Sequence, residues 1–229
     1  MKKIISILFL FLLCYACYYI YNKTENKKLY ISLIGDDISS NPYLKSNNKI
    51  SNINKDFINE NYHITDLLNT IKYNKEITKD NKTCSIHRVL KKSDIIILSI
   101  GMNDIYYKLN DNTKEIYTYL NNIINDYEQI LNIISKYEYK EVYILNYYNK
   151  SNKYNDIFTY INYKLKELSN KYNYTYIDLK ILNNNQIYYK NNNDFTLNNA
   201  GYYQIYKIIV EKLKKYWYNI KCIYYYDLY

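Results

Sequence analysis

The stretch "DIIILSIGMNDI", Asp94–Ile105, is the most informative in the chain. Its apolar, largely β-branched run is too short for a helix and closes on a glycine, which reads as a strand buried on both faces. Strands of that kind belong to parallel sheets covered by helices.

On either side of it, "LYISLIG" (Leu29–Gly35), "EVYILNYY" (Glu141–Tyr148) and "YTYIDL" (Tyr174–Leu179) read as further buried strands. Helical spacing fills the intervals. "ITDLLNTI" (Ile64–Ile71) and "CSIHRVLKKS" (Cys84–Ser93) predict short helices, and Asp156–Ser169 a longer one. From Asn112, with Glu115 at capping-box spacing, Ile116, Leu120, Ile123, Ile124, Tyr127, Leu131 and Ile134 repeat at helical period. A final helix carries Ile205, Ile208, Ile209, Leu213 and Tyr216 on one face, while residues 41–62 and 180–193 read as irregular. Alternating strands and helices predict a three-layer α/β/α sandwich with a mainly parallel, flavodoxin-like sheet, whose ligands bind at the carboxyl ends of the strands.

The chain of 229 residues has 35 tyrosines, three glycines and one proline. A chain this poor in glycine keeps it where backbone geometry or close approach demands it. Two of the three, Gly35 and Gly101, stand at predicted strand ends. The net charge of +9 is spread over every segment, so no nucleic-acid footprint is expected.

Met1, Lys2 and Lys3 precede an uncharged run, Ile4–Ile20, with lysines after it. As a helix this run spans about 25 Å, slightly less than the roughly 30 Å hydrocarbon core, with Tyr18, Tyr19 and Tyr21 placed to lie at the interface. It is read as an uncleaved signal anchor. The alternatives are a cleaved signal peptide with Cys14 and Ala16 at the small positions, or a lipoprotein signal ending at Cys17. The expected organisation is therefore a transmembrane segment at residues 1–21, a tether at 22–28 and one domain at 29–229. That expectation places a single-pass protein in the cell membrane with its domain outside the cytoplasm. Cys84 and Cys222 match no metal-ligand spacing, and either one bridge or two thiols would fit.

Three short blocks resemble those of the SGNH (GDSL-type) hydrolase family. Gly35, Asp36 and Asp37 match the G-D-S block after the first strand; Gly101, Met102, Asn103 and Asp104 match G-x-N-D in full. In "NNDFTLNNAGYY", Leu197, Asn198, Gly201 and Tyr202 follow the run into the last helix, with Thr196 at the histidine position. The block that normally supplies a further glycine falls near "NENYHITDLL" (Asn59–Leu68), where there is none. All three glycines lie inside family blocks. The resemblance covers residues 29–216 and implies an esterase- or lipase-like fold.

It also implies a site: Asp37 at the nucleophile position, Asn103 at the oxyanion position, Thr196 at the histidine position, and Asn193 or Asp194 at the orienting position. Gly35, Asp36, Gly101, Asp104 and Gly201 would shape the cleft. An aspartate nucleophile would form a reactive anhydride and oppose the developing oxyanion, and a threonine hydroxyl is no general base near neutrality. The favoured expectation is a catalytically defective hydrolase that binds an acylated glycan, a lipid or a protein partner, with no cofactor and no metal. The alternatives are an active esterase or acyltransferase with relocated groups such as His63, Ser39 or Asp194, and a structural envelope protein. His87, in a predicted helix, reads as a surface or half-buried polar residue. Asn103 and Asp104 also have structural readings, one tying the strand end to neighbouring loops and the other capping the following turn.

Overall fold

The computed structural model describes residues 12–15, 29–36, 41–46, 53–54, 57–79, 82–109, 115–190 and 195–216. Five parallel strands form the sheet: β1 (Ile31–Gly35), β2 (Ile53–Asn54), β5 (Ile95–Ser99), β6 (Glu141–Leu145) and β7 (Thr175–Ile177). Their order is β2-β1-β5-β6-β7. Every residue of β1 and β5 is buried, which is why both read as largely apolar runs and not as alternating ones.

The helices are α1 (Pro42–Ser46), α2 (Ile64–Lys72), α3 (Ile86–Lys92), α4 (Met102–Leu109), α5 (Ile116–Ile134), α6 (Asn155–Lys171) and α7 (Asn199–Leu213). One group, α2, α5 and α6, packs side by side, and α1 packs on α7. The Tyr143 hydroxyl on β6 donates to the Lys212 carbonyl on α7 at 3.2 Å, so alternate residues of β6 serve opposite layers. The result is an α/β sandwich with a parallel sheet.

Strand β1 pairs with β2 on one side and β5 on the other, and the chain reverses its direction of travel between β1 and β5. The crevice at the carboxyl ends of those two strands is the place where this architecture binds ligands. Gly35 and Gly101 stand on either side of it.

Three features differ from the sequence reading. The segment 41–62 contributes α1 and the edge strand β2, and an isolated bridge from Gly35 to Ile58. A separate antiparallel hairpin, β3 (Glu76–Lys79) with β4 (Lys82–Ser85), precedes α3, so Cys84 and Ser85 are strand residues. Ile77 opposes Cys84 on its half-buried face, while Thr78 and Thr83 join hydroxyls at 3.0 Å on the other. The predicted loop at 180–193 holds two short 3₁₀ turns, Lys180–Leu182 and Gln186–Tyr188. Cys84 is a free thiol, whereas Cys222 and Asn112 lie outside the described residues.

The expected N-terminal transmembrane helix is corrected. Among the described residues no helix is long and apolar enough to cross a membrane. Of residues 1–21 only 12–15 are described, as a single helical turn; the rest, and the tether at 22–28, lie outside the described residues. The physical weakness was already in the length, because the uncharged run falls short of the hydrocarbon thickness. The membrane as partner and the single-pass location fall with it.

One buried group is a stability lever. Tyr127 on α5 is fully buried, and its hydroxyl has no hydrogen-bond partner among the described residues. Burial, with the Asp36 charge nearby, pushes its pKa well up. Replacing it by phenylalanine removes an unpaired polar group at constant shape, so Tyr127→Phe is expected to raise unfolding free energy by about 1 kcal/mol. A urea midpoint below that of the unsubstituted protein would contradict this.

Candidate functional site

Strand β1 ends on Gly35, whose φ of 133° lies where side chains are strained. The Gly35 N–H donates to the Phe57 carbonyl at 3.1 Å, and its carbonyl accepts from Asn59 N–H at 3.0 Å. The 57–63 segment therefore runs along the end of β1. Asp36 follows, fully buried, with its N–H on the Ser99 carbonyl at 2.8 Å. Its carboxylate accepts from Met102 N–H at 3.0 Å and from the Ser99 hydroxyl at 3.3 Å. An acid placed against the first N–H of α4 ties β1 to the β5–α4 turn. Asp36 thus lies beneath the cleft, while Asp37, Ser39 and Ser40 lie outside the described residues.

Gly101 makes the sharp exit from β5 at φ 100°. A Cβ there would sit 2.7 Å from the Tyr147 hydroxyl, which itself donates to the Ile100 carbonyl at 2.8 Å.

Asn103 and Asp104 occupy the first turn of α4. The half-buried Asn103 carboxamide donates to the Glu60 carbonyl at 2.7 Å and the Tyr62 carbonyl at 3.0 Å. A carboxamide has two N–H hydrogens, and both are spent on this loop. The Asp104 carboxylate is buried; it accepts from Ile64 N–H, at the start of α2, at 2.9 Å, and lies 3.2 Å from His63 Nδ1. Burial pushes its carboxyl above the ordinary value, while the Ile64 N–H and the His63 ring pull it back. The His63 side chain is 44% exposed, against 6% for Asp104, so one ring nitrogen faces the carboxylate while the ring stays partly open to solvent, with Tyr107 edge-on against it. The sequence hinted at this pair only by placing His63 in the glycine-less block. His87 is used structurally, with Nε2 at 2.8 Å from the Ile71 carbonyl.

At the far end of the chain, the Asn198 side chain caps α7 through Gly201 N–H at 3.1 Å. Its amide donates to the Ile187 and Tyr189 carbonyls at 2.7 and 3.1 Å. Gly201 has no room for a side chain, because a Cβ would lie 2.5 Å from the Tyr188 carbonyl oxygen. Thr196 is half-buried and its carbonyl accepts from Lys190 N–H at 3.0 Å; Asn193 and Asp194 lie outside the described residues.

Two contacts gather the blocks. Phe195 stacks on Tyr106 of α4, with ring centroids 4.1 Å apart, which brings the segment before Thr196 against the helix carrying Asn103 and Asp104. Asn41, just after the first block, donates to the Tyr202 carbonyl at 2.7 Å. Among the described residues no three His, Cys, Asp or Glu side chains converge as metal ligands.

The fold is similar to that of solved esterases and of a G-D-S-L family protein. An acetylxylan esterase, Axe2 from Geobacillus stearothermophilus, matches with TM-score 0.60 at 12% identity, over 82% of this chain and 95% of the other. A member of the lipolytic protein G-D-S-L family from Veillonella parvula matches with TM-score 0.53 at 16% identity, over 80% of this chain and 97% of the other. At these identities the likeness is one of fold. No family model and no curated protein matches the sequence.

Proposed function

We propose that the chain is an SGNH-type hydrolase with degenerate catalytic blocks, whose strand-end cleft accepts an acyl ester but does not run the family's serine–histidine relay. Asp37 stands at the nucleophile position, Thr196 at the histidine position, and Asn193 or Asp194 at the orienting position. The observation that carries this reading is the Asn103 carboxamide. Both of its hydrogens are held by the Glu60 and Tyr62 carbonyls, so the side chain that would face an oxyanion is occupied with pinning a loop.

A second reading is favoured by the His63–Asp104 pair. A buried carboxylate on one ring nitrogen, with the ring partly open to solvent, is the arrangement that orients a histidine for proton transfer.

One assay separates the two. The full chain is expected to hydrolyse short 4-nitrophenyl esters at no more than about 10⁴ over water, the level that binding and backbone donors supply alone. His63→Ala should leave that rate unchanged, and Asp37→Ser with Thr196→His should raise it roughly 100-fold or more. Robust turnover that His63→Ala abolishes, with the circular dichroism spectrum intact, overturns the first reading and establishes the second. An acetyl ester is the natural first probe, since the matching Axe2 is an acetylxylan esterase.

A further inference from the structure

Beside the strand-end crevice, the 59–62 segment, α2 and the β3 strand enclose an open groove of about 410 Å³. That volume lies within the range of about 300 to 1,000 Å³ in which small-molecule sites fall. Its lining is unlike a typical apolar pocket. Asn61 and Tyr62, Asp66 and Thr70 of α2, and Lys75 and Glu76 line it.

The lining is held by hydrogen bonds. Asn103 pins the Glu60 and Tyr62 carbonyls; Lys75 N–H donates to the Thr70 carbonyl at 2.9 Å, and Ile86 N–H to the Lys75 carbonyl at 3.2 Å. Asp66 uses one carboxylate oxygen for the His63 N–H at 3.0 Å. By contrast, the Asn61 carboxamide, the Lys75 ammonium and the Glu76 carboxylate take part in no hydrogen bond or ion pair among the described residues. The groove therefore combines a rigid frame with uncommitted donors and acceptors.

The charges select among ligands. A phosphate or other anion entering the groove meets two carboxylates, Asp66 and Glu76, against the single Lys75. A neutral molecule bearing several hydroxyls meets no such penalty, because each hydroxyl donates once and accepts twice and so matches carboxamide, ammonium and carboxylate alike. Tyr62 adds an aromatic side chain to the lining, against which the apolar side of a sugar ring can pack.

We infer that this groove binds a neutral polyhydroxylated ligand, a mono- or disaccharide, between the 59–62 segment and the β3 strand. The site lies outside the cleft residues assigned above, and binding is read directly, so a protein without esterase activity tests it equally well. Backbone amide NMR on the full chain, titrated with cellobiose, xylobiose, maltose and N,N′-diacetylchitobiose, is the experiment. At least one sugar is expected to shift the amides of residues 59–62, 66, 70 and 75–77 saturably, with an affinity of about 1 mM. Asn61→Ala and Glu76→Ala, both at exposed positions, should each weaken that binding roughly tenfold while leaving the remaining spectrum in place. The inference is overturned if none of the four sugars moves these amides. It is equally overturned if inorganic phosphate or spermidine moves them at lower concentration than any sugar, or if sugar binding survives both substitutions.

Discussion

Gly101→Ala is expected to cost about 4 kcal/mol of stability, because two separate penalties meet at one atom. The backbone there has φ 100°, which a residue with a Cβ adopts only under strain. The added carbon would also lie 2.7 Å from the Tyr147 hydroxyl, a group that cannot swing aside without giving up its bond to the Ile100 carbonyl. The two penalties are separable. Tyr147→Phe deletes the clashing oxygen, and the ring carbon behind it stands at an ordinary 3.5 Å from the place that Cβ would take. Alone, Tyr147→Phe should cost about 1 kcal/mol for the lost hydrogen bond. Together the two substitutions should cost less than their sum by about 1 to 2 kcal/mol, measured as a coupling energy from urea unfolding. Strict additivity would mean that the strain is all in the backbone and that the hydroxyl does not press on the turn.

Strands β1, β5 and β6 are buried, so their residues are largely apolar and announce themselves. The edge strand β2 has two residues, both half-buried, and leaves no pattern. The β3–β4 hairpin pairs the half-buried Ile77 and Cys84 and otherwise carries Glu, Lys, Thr and Ser, a composition that equally suits a loop.

Helix ends were obscured by the scarcity of glycine. Asn74 and Asn173 take φ of 46° and 59° just past the ends of α2 and α6. In both, the next N–H reaches back to the helix, Lys75 to Thr70 and Tyr174 to Ser169, the bonding of a Schellman motif usually closed by glycine. Asparagine is the residue other than glycine that tolerates this conformation best, so a chain rich in asparagine hides its stops.

At the site, the glycines marked the correct strand ends because backbone geometry is a local demand. Partners about 40 residues apart were not visible in the same way. Nothing local to Asn103 says that its amide is shared by two carbonyls of the 60–62 segment, and nothing local to Asp104 says that it serves both a helix start and a histidine ring. Long-range polar pairing has no periodicity for a sequence to display.

Asp104 carries the second large effect. Asp104→Ala should cost about 2 kcal/mol, since it leaves the Ile64 N–H unpaired at the start of α2 and empties a buried position. Asp104→Asn keeps an oxygen acceptor for that N–H and should cost less than half as much. The pH dependence follows from burial. Desolvation raises the Asp104 carboxyl above its ordinary 3.8 by more than the Ile64 and His63 contacts lower it. The folded state therefore holds the proton more tightly than the unfolded chain does. That contribution to stability is fully present below the ordinary value and is lost as pH rises through the folded one. Relative to Asp104→Asn, which does not titrate, the unsubstituted protein should gain stability as pH falls from about 7 to about 3. Removing the ring with His63→Ala takes away one of the lowering contacts, so the gain should become steeper in that background. Urea unfolding of the four proteins across this range decides the matter. A gap that widens in favour of the unsubstituted protein as pH rises would show that the Ile64 and His63 contacts outweigh burial, and that Asp104 is held as a carboxylate by its partners.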